Sequence, residues 1–318
     1  MLISDKKHSM VNKGVIRMPA FLVEEALDGI TVQHFLRRHC QVSARLLAKL
    51  KRTENGMTVN GQPIRSIDIL HGGDVIELIF PQDNADIQPV CLPLDIIYED
   101  DALLAVNKPP FQPVHPVHEH RTDTLANAVM YYRQNRGETY TFRAVNRLDK
   151  DTSGLVLIAK SSYAHTFLAQ HTQKRYIALC EGELQGSGTI DTPIRRQEGS
   201  IIRRETGEEG RPSVTHYTVL QTAFGHTLLS VWLETGRTHQ IRTHFASIGH
   251  PLAGDDLYGG HRTIFRRQCL HCAALTFVHP LTRETIRLQC APEDWLFQFT
   301  HGSEMELRQC FTSDFFEG

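Results

Sequence analysis

From Leu94 onward, strand-like runs follow one another without a regular βαβα alternation. LLAVNK, GLVLIAK, RYIALCEG, THYTVLQ, TLLSVWLE and TIRLQC read as strands, whereas TLANAVMYYRQNR and YAHTFLAQHT read as helices. This intermixing disfavours a parallel doubly wound sheet. The order points to an α+β fold with a mixed or antiparallel sheet. THYTVLQ and TLLSVWLE, separated only by TAFGH, read as a hairpin. The chain has no GxGxxG, no Walker-type loop and no repeat of fixed period.

Upstream lies a smaller unit. Residues 20–80 read as two short helices, around TVQHFLRRH and SARLLAKLKR, then the turn VNGQ and a closing strand DVIELIF after HGG. Asn60-Gly61 is a tight-turn dipeptide, because both residues tolerate positive φ. Residues 81–93, with Pro81, Pro89 and Pro93, read as a linker to a large domain over 94–295. The polar residues 1–19 are expected to be flexible, and the tail 296–318 carries no functional pattern. The length, 318 residues, allows one large core plus a small extra domain.

Charge gives only local information. Lys and Arg total 34 against 36 Asp and Glu, so the chain as a whole does not advertise a polyanionic partner. Between Thr31 and Arg65, however, seven basic residues (Arg37, Arg38, Arg45, Lys49, Lys51, Arg52 and Arg65) face only Glu54. Arg45, Lys49 and Arg52 recur at i, i+4 and i+7, so one face of a single helix is expected to carry all three charges. Such a face suits phosphate contacts and equally suits plain solvation. The seven cysteines are odd in number and scattered, which fits a reducing compartment better than a disulfide framework. With no apolar h-region near the start and no apolar run of about 18 residues, the expectation is a cytoplasmic protein with no membrane partner.

The densest chemistry is in NRLDKDTSGLVLIAK, residues 146–160. Two aspartates and two hydroxyls sit on a tight loop directly before an apolar strand. Three readings fit the residues: a solvated turn, a Mg-dependent aspartyl-phosphate phosphatase loop, or a loop presenting a carboxylate for metal-free chemistry. The phosphatase reading uses DKDT, Asp149 to Thr152, and could draw an acidic metal site from Gly254–Asp256. It requires the aspartates to end an apolar strand in a parallel sheet, whereas here the good strand follows the loop.

Two resemblances then enter. ARLLAKLKRTENGMTVNGQPIRSIDILHGGDVIEL resembles an S4 (α-L type) RNA-binding domain, with Thr58-Val59-Asn60-Gly61 as its turn and Gly73-Asp74-Val75-Ile76 opening its last strand; Met57 stands where that family has valine. RLDKDTSGLVLIAKS resembles the R-L-D-x-x-[ST]-S-G-L loop of the RluA-type pseudouridine synthases. Four further segments are similar to that family's motifs in the same order: DIIYEDDALLAVNKPPFQPVHP, KRYIALCEG, LETGRTHQIRTHFASIGHPLAGDDLYG and LHCAALTFVHPLT. Together they cover about 200 residues.

The resemblance implies a site-specific uridine-to-pseudouridine isomerase acting on structured RNA, with large-subunit ribosomal RNA expected ahead of tRNA. It implies no cofactor and no metal, since the reaction has neither redox change nor group donor. It assigns the catalytic carboxylate to Asp149, its charge partner to Arg242, and to Tyr176 a catalytic phenol that stacks on the base while its hydroxyl takes part in proton transfer. Arg147 is expected to touch the RNA strand from which the target base is flipped, and Arg37, Arg38, Arg45, Lys49 and Arg52 to hold RNA. Ile241, Phe245 and Ile248, at i, i+4 and i+7, would form the buried helix face opposite Arg242. Asp151 and the loop hydroxyls are expected to shape the loop.

One position departs from the pattern: Asn146 stands where the family usually has His. A structural His tolerates this change, whereas a proton-transferring one does not. A non-catalytic RNA-binding protein with this fold is therefore the alternative from another class. The clusters HPVHEH and CLHC lack zinc-finger spacing. RRQEGSIIRRETGEEGRPS, of mixed charge, is expected to be a mobile rim loop.

Overall fold

The computed structural model describes residues 15–17, 20–81, 87–292 and 294–299. Most of the expected flexible N-terminus (1–19), part of the expected linker (82–86) and the tail from residue 300 lie outside the described residues.

Asn60 and Gly61 both take positive φ, 50° and 79°, and so turn β3 (Met57–Val59) back on β4 (Gln62–Pro63). These join β1 (Val15–Arg17), β2 (Phe21–Leu22) and β5 (Val75–Pro81) in a five-stranded sheet. Helix α1 (Val32–His34) runs into a wider π turn, Phe35–His39, and α2 (Ala44–Leu50) is capped by the Ser43 hydroxyl. Leu46, Leu47 and Leu50 of α2 are buried with Val32, Leu36 and Ile76 in a core separate from that of the larger sheet. Tyr163, from the larger fold, also enters this core, its ring edge-on to Phe21 at 5.8 Å.

The larger sheet has nine strands: β6 (Asp95–Glu99), β7 (Leu103–Lys108), β8 (Ser153–Ala159), β9 (Thr172–Glu181), β10 (Ser187–Asp191), β13 (Val214–Ala223), β14 (His226–Leu233), β15 (Leu270–Val278) and β16 (Thr285–Gln289). Its order is β10-β13-β14-β9-β15-β8-β7-β6, with β16 also on β15; every pairing is antiparallel except β15 on β8. This is the mixed sheet of an α+β protein, as the element order predicts. It lacks the parallel order that the phosphatase reading needs. Helices α3 (Leu125–Asn135) and α4 (Ser162–Gln170) flank β8 in sequence, and α5 (Gln240–Ser247) follows β14.

Four local expectations are corrected. The expected mobile loop after β10 contains a hairpin, β11 (Ile194–Arg196) paired with β12 (Arg204–Thr206). The linker is fastened from residue 87: the Asn127 amide donates to the Gln88 carbonyl and the Val90 amide to that of Asn127. The boundary after 295 falls inside α6 (Trp295–Phe299), whose Trp295, Leu296 and Phe299 are buried against Ile177, Leu179 and Leu228. Finally, α2 ends at Leu50, so Arg52 lies in the following turn, not on the helix face of Arg45 and Lys49. No described helix is long and apolar enough to cross a membrane.

Candidate active site

The sheet forks where β8 begins. β15 pairs with β8 only through His271 and Cys272, opposite Ser153 and Gly154, while its later residues pair with β16. Gly154 is required at this crossing: its φ is +112°, and a Cβ there would lie 2.4 Å from the Cys272 carbonyl oxygen. Further along β8, the Arg143 carbonyl and Val145 amide bond to Ala159 and Leu157. Asn146 fills the gap between the two pairings. Its amide donates to the Leu155 carbonyl at 2.9 Å and its Oδ1 accepts from the Leu157 amide at 2.9 Å. Residues 147–152 are thereby looped out at the fork, with Asp149 on the loop.

Buried cations hold that loop from below. Arg267 donates to the Asp151 carbonyl (3.0 Å) and the Ser153 hydroxyl (2.9 Å), and forks onto both oxygens of Asp294. Lys108, fully buried, donates from Nζ to the carbonyls of Pro109, Gln112 and Lys150. Burial and the Arg267 charge push its pKa down to about 7, against the opposing pull of Asp151 and Asp149. His271 shares a 2.8 Å hydrogen bond with the Ser153 hydroxyl, and burial holds it neutral with a pKa of about 3.

Asp149 meets Arg242 across the cleft. Arg242, near the start of α5, donates from Nη1 to Asp149 Oδ2 at 3.1 Å, and from Nε and Nη2 to the two oxygens of Asp255 at 2.6 and 2.8 Å. Burial opposes its charge, yet the hydrogen bonds and charge of Asp255, then those of Asp149, raise its pKa above the ordinary arginine value. Asp255 is 1% exposed, whereas the Asp149 side chain retains 28% exposure. One carboxylate anchors the guanidinium and the other can be reached. On α5, Ile241 and Phe245 are buried as the spacing predicts, but Ile248 lies past the helix end and is exposed.

Tyr176 on β9 sits in register with Cys272, next to the fork. Its pKa is raised well above the ordinary value, by burial first and then by Cys272 and the Asp149 charge. The structure thus brings Asp149, Arg242 and Tyr176 together. Arg147 lies two residues from Asp149 with its side chain exposed. Arg37, Arg38, Arg45 and Arg52 are exposed on the small unit and Lys49 is partly buried there. Arg37 also donates to the Val42 carbonyl.

Several site residues carry no assignment from the sequence. Asp255 appears there only as part of a possible metal site, whereas here it is committed to Arg242 and its neighbour Asp256 pairs with Arg262. Arg267 gives no local signal, since its partners Asp151 and Ser153 lie 116 and 114 residues away. Beside the site opens a cleft of about 420 Å³, lined by Arg195, Arg196, Arg204, Arg211, Arg237 and Glu209 on and around the β11–β12 hairpin, with Arg195 paired to Glu205 and Glu209.

A family model described as RNA pseudouridylate synthase matches residues 102–247. The chain is 39% identical over 264 residues to YjbO of Bacillus subtilis, named an uncharacterized RNA pseudouridine synthase, covering 80% of this chain and 93% of that protein. It is 36% identical over 301 residues to the ribosomal large subunit pseudouridine synthase D of Pseudomonas aeruginosa, covering 88% and 92%. Among solved structures, human RNA Pseudouridylate Synthase Domain Containing 1 superposes with a TM-score of 0.52 at 26% identity, covering 68% of this chain and 89% of that one.

Proposed function

The chain belongs to the RNA pseudouridine synthases, and from that premise we propose that Asp149 is the carboxylate with which it converts uridine to pseudouridine. The reaction breaks the N1–C1′ bond, turns the uracil and joins C5 to C1′; the C5 proton is lost and N1 regains one, so nothing is oxidised and no group is donated. A carboxylate that acts at the sugar or base must stay ionised in a partly dry pocket. Burial alone would neutralise it, and an adjacent cation prevents that. The observation that carries the reading is the Arg242 bridge, with a buried guanidinium fixed by Asp255 and donating one N–H to the reachable Asp149, Nη1 to Oδ2 3.1 Å. Tyr176 is proposed to stack on the flipped uracil and Arg147 to contact the strand left behind.

The substrate proposed is large-subunit ribosomal RNA, with tRNA as the competing target. Support comes from the relative named as a ribosomal large subunit enzyme and from residues 20–80, proposed to be an S4-type RNA-binding domain. The exposed Arg38, Arg45 and Arg52, with Arg37 and Lys49, would hold phosphates there. The arginine-lined cleft beside the β11–β12 hairpin would do so near the site. Domain boundaries at 20–80 and from 94 onward, and a cytoplasmic location, belong to the same proposal. Carbodiimide mapping of pseudouridine in total RNA tests it, comparing cells lacking the gene with cells restored by wild type or by Asp149→Asn. Ribosomal sites lost on deletion and returned only by wild type are expected. Loss of tRNA sites alone would overturn the substrate, and return of the sites by Asp149→Asn would overturn the catalytic assignment.

A further inference from the structure

His239 is an ionisable side chain close to Asp149 that the reaction as described leaves without a task. It precedes α5 in a left-handed backbone conformation, φ 56°, which L residues rarely adopt. There its Nε2 lies 3.7 Å from Asp149 Oδ2 and its Nδ1 2.9 Å from the hydroxyl of Tyr258. The buried Tyr258 has one other hydrogen-bond partner among the described residues, the main-chain N–H of Arg204 on β12, at 2.9 Å. That N–H can only donate. The phenol oxygen therefore accepts from Arg204, and its single proton has Nδ1 of His239 as acceptor. A neutral imidazole carries one N–H, and with Nδ1 accepting, that proton resides on Nε2, the nitrogen that faces the carboxylate.

We propose that His239 is a positioning residue for Asp149, held by Tyr258 as the neutral Nε2–H tautomer, so that Arg242 and His239 claim Oδ2 and leave Oδ1 to meet the substrate. This rests on Asp149 being the catalytic carboxylate. At 3.7 Å the contact is longer than a hydrogen bond, and it shortens when substrate fills the pocket, as catalytic hydrogen bonds commonly do. The groups facing His239 pull in both directions. Asp149 and Asp255 favour an imidazolium, while Arg242 and Arg204 oppose it, and the Arg203 guanidinium lies 5.8 Å from the Tyr258 ring. Burial is the largest influence, and it lowers the His239 pKa below the ordinary imidazole value. A second arrangement, with Nδ1–H donating to Tyr258, would turn the Nε2 lone pair toward the carboxylate and leave the phenol proton unbonded.

Long-range 1H–15N correlation spectra of the full-length protein report the tautomer directly, with the His239 signals identified through His239→Gln. The expected result is a protonated Nε2 and a bare Nδ1 at pH 7 to 8. In Tyr258→Phe the imidazole loses the donor that fixes its tautomer while its burial stays, so Nε2–H and Nδ1–H forms are expected to mix. Pseudouridine formation by that variant should then fall about twofold at pH 8, as the Nε2–H fraction drops to about half. His239→Gln, which keeps an N–H but cannot titrate, should retain more activity than His239→Ala and show no acid limb. An Nδ1–H tautomer or an imidazolium at pH 7 in the wild type overturns the proposal, as does a folded Tyr258→Phe with the wild-type rate. If Tyr258→Phe fails to fold, the wild-type spectrum decides alone. Full activity of Asp149→Asn with an Nε2–H tautomer would instead count against the catalytic assignment.

Discussion

Replacing Asp255 with Asn preserves volume and removes the charge that holds Arg242. In the native site the guanidinium is 7% exposed and Asp255 1%, joined by hydrogen bonds of 2.6 and 2.8 Å. Leaving one member of a buried ion pair without its partner costs about 3–5 kcal/mol. Asn keeps one acceptor, and Asp149 remains 3.1 Å from Nη1, so the lower end, about 3 kcal/mol, is expected. At roughly 2–4 °C per kcal/mol for a domain of this class, Tm should fall by about 6–12 °C. The freed guanidinium then turns to Asp149 as its only full carboxylate, tying up the oxygen that must meet substrate, and kcat/KM should fall at least about tenfold. Urea unfolding followed by tryptophan fluorescence measures the first effect through Trp232 on β14 and Trp295 in α6. A loss under about 1 kcal/mol would refute the claim that Asp255 organises the site, as would unchanged kinetics in a destabilised variant.

Gly154→Ala places a methyl 2.4 Å from the Cys272 carbonyl at a φ of +112°; a loss of about 2 kcal/mol or more by urea titration is expected, with reduced activity because the loop holding Asp149 ends just before it. Asp100 is opposed by burial, yet hydrogen bonds from His279, Tyr98 and two main-chain amides hold its carboxyl at about 2, below its ordinary 3.8. A depressed acid stabilises above its ordinary pKa and loses that contribution as pH falls through about 2, so Asp100→Asn should remove about 2 kcal/mol of stability at pH 5 and very little at pH 2. Replacing Arg45, Lys49 and Arg52 together with Gln should lower the slope of log affinity for RNA against log salt by about 0.7–0.9 for each phosphate that is no longer neutralised; an unchanged slope would remove the small unit from the RNA interface.

Strands with β-branched runs and short turns are legible from sequence, because local pattern and tertiary pairing agree at β7, β8, β9, β13 and β14. β15 stands out in the sequence only as a motif: Leu270–Leu275 is buried at every position, and such a run has no alternation to distinguish strand from helix. The β11–β12 hairpin is unreadable for the opposite reason, since its Arg, Glu and Gly residues carry no apolar pattern and only cross-strand pairing defines it. Arg52 leaves the expected helix face because spacing gives a periodicity but not where the helix stops. In the site, the loop and Arg242 lie in recognisable segments. The groups that hold them, Arg267, Lys108 and Asp255, act through contacts that exist only after folding. Asn146 departs from the family's usual His, yet its side chain donates and accepts once each along β8, which a neutral imidazole can also do. The substitution thus keeps the hydrogen-bonding capacity that this position uses.

The most direct test of the catalytic account is tritium release from ribosomal RNA transcripts labelled at C5 of uridine, using purified wild type and Asp149→Asn with chelator present. Joining C5 to C1′ expels the C5 hydrogen, so each pseudouridine formed by the wild type should release tritium, and Asp149→Asn should release none above background. Release by Asp149→Asn at the wild-type rate would contradict the assignment of the carboxylate.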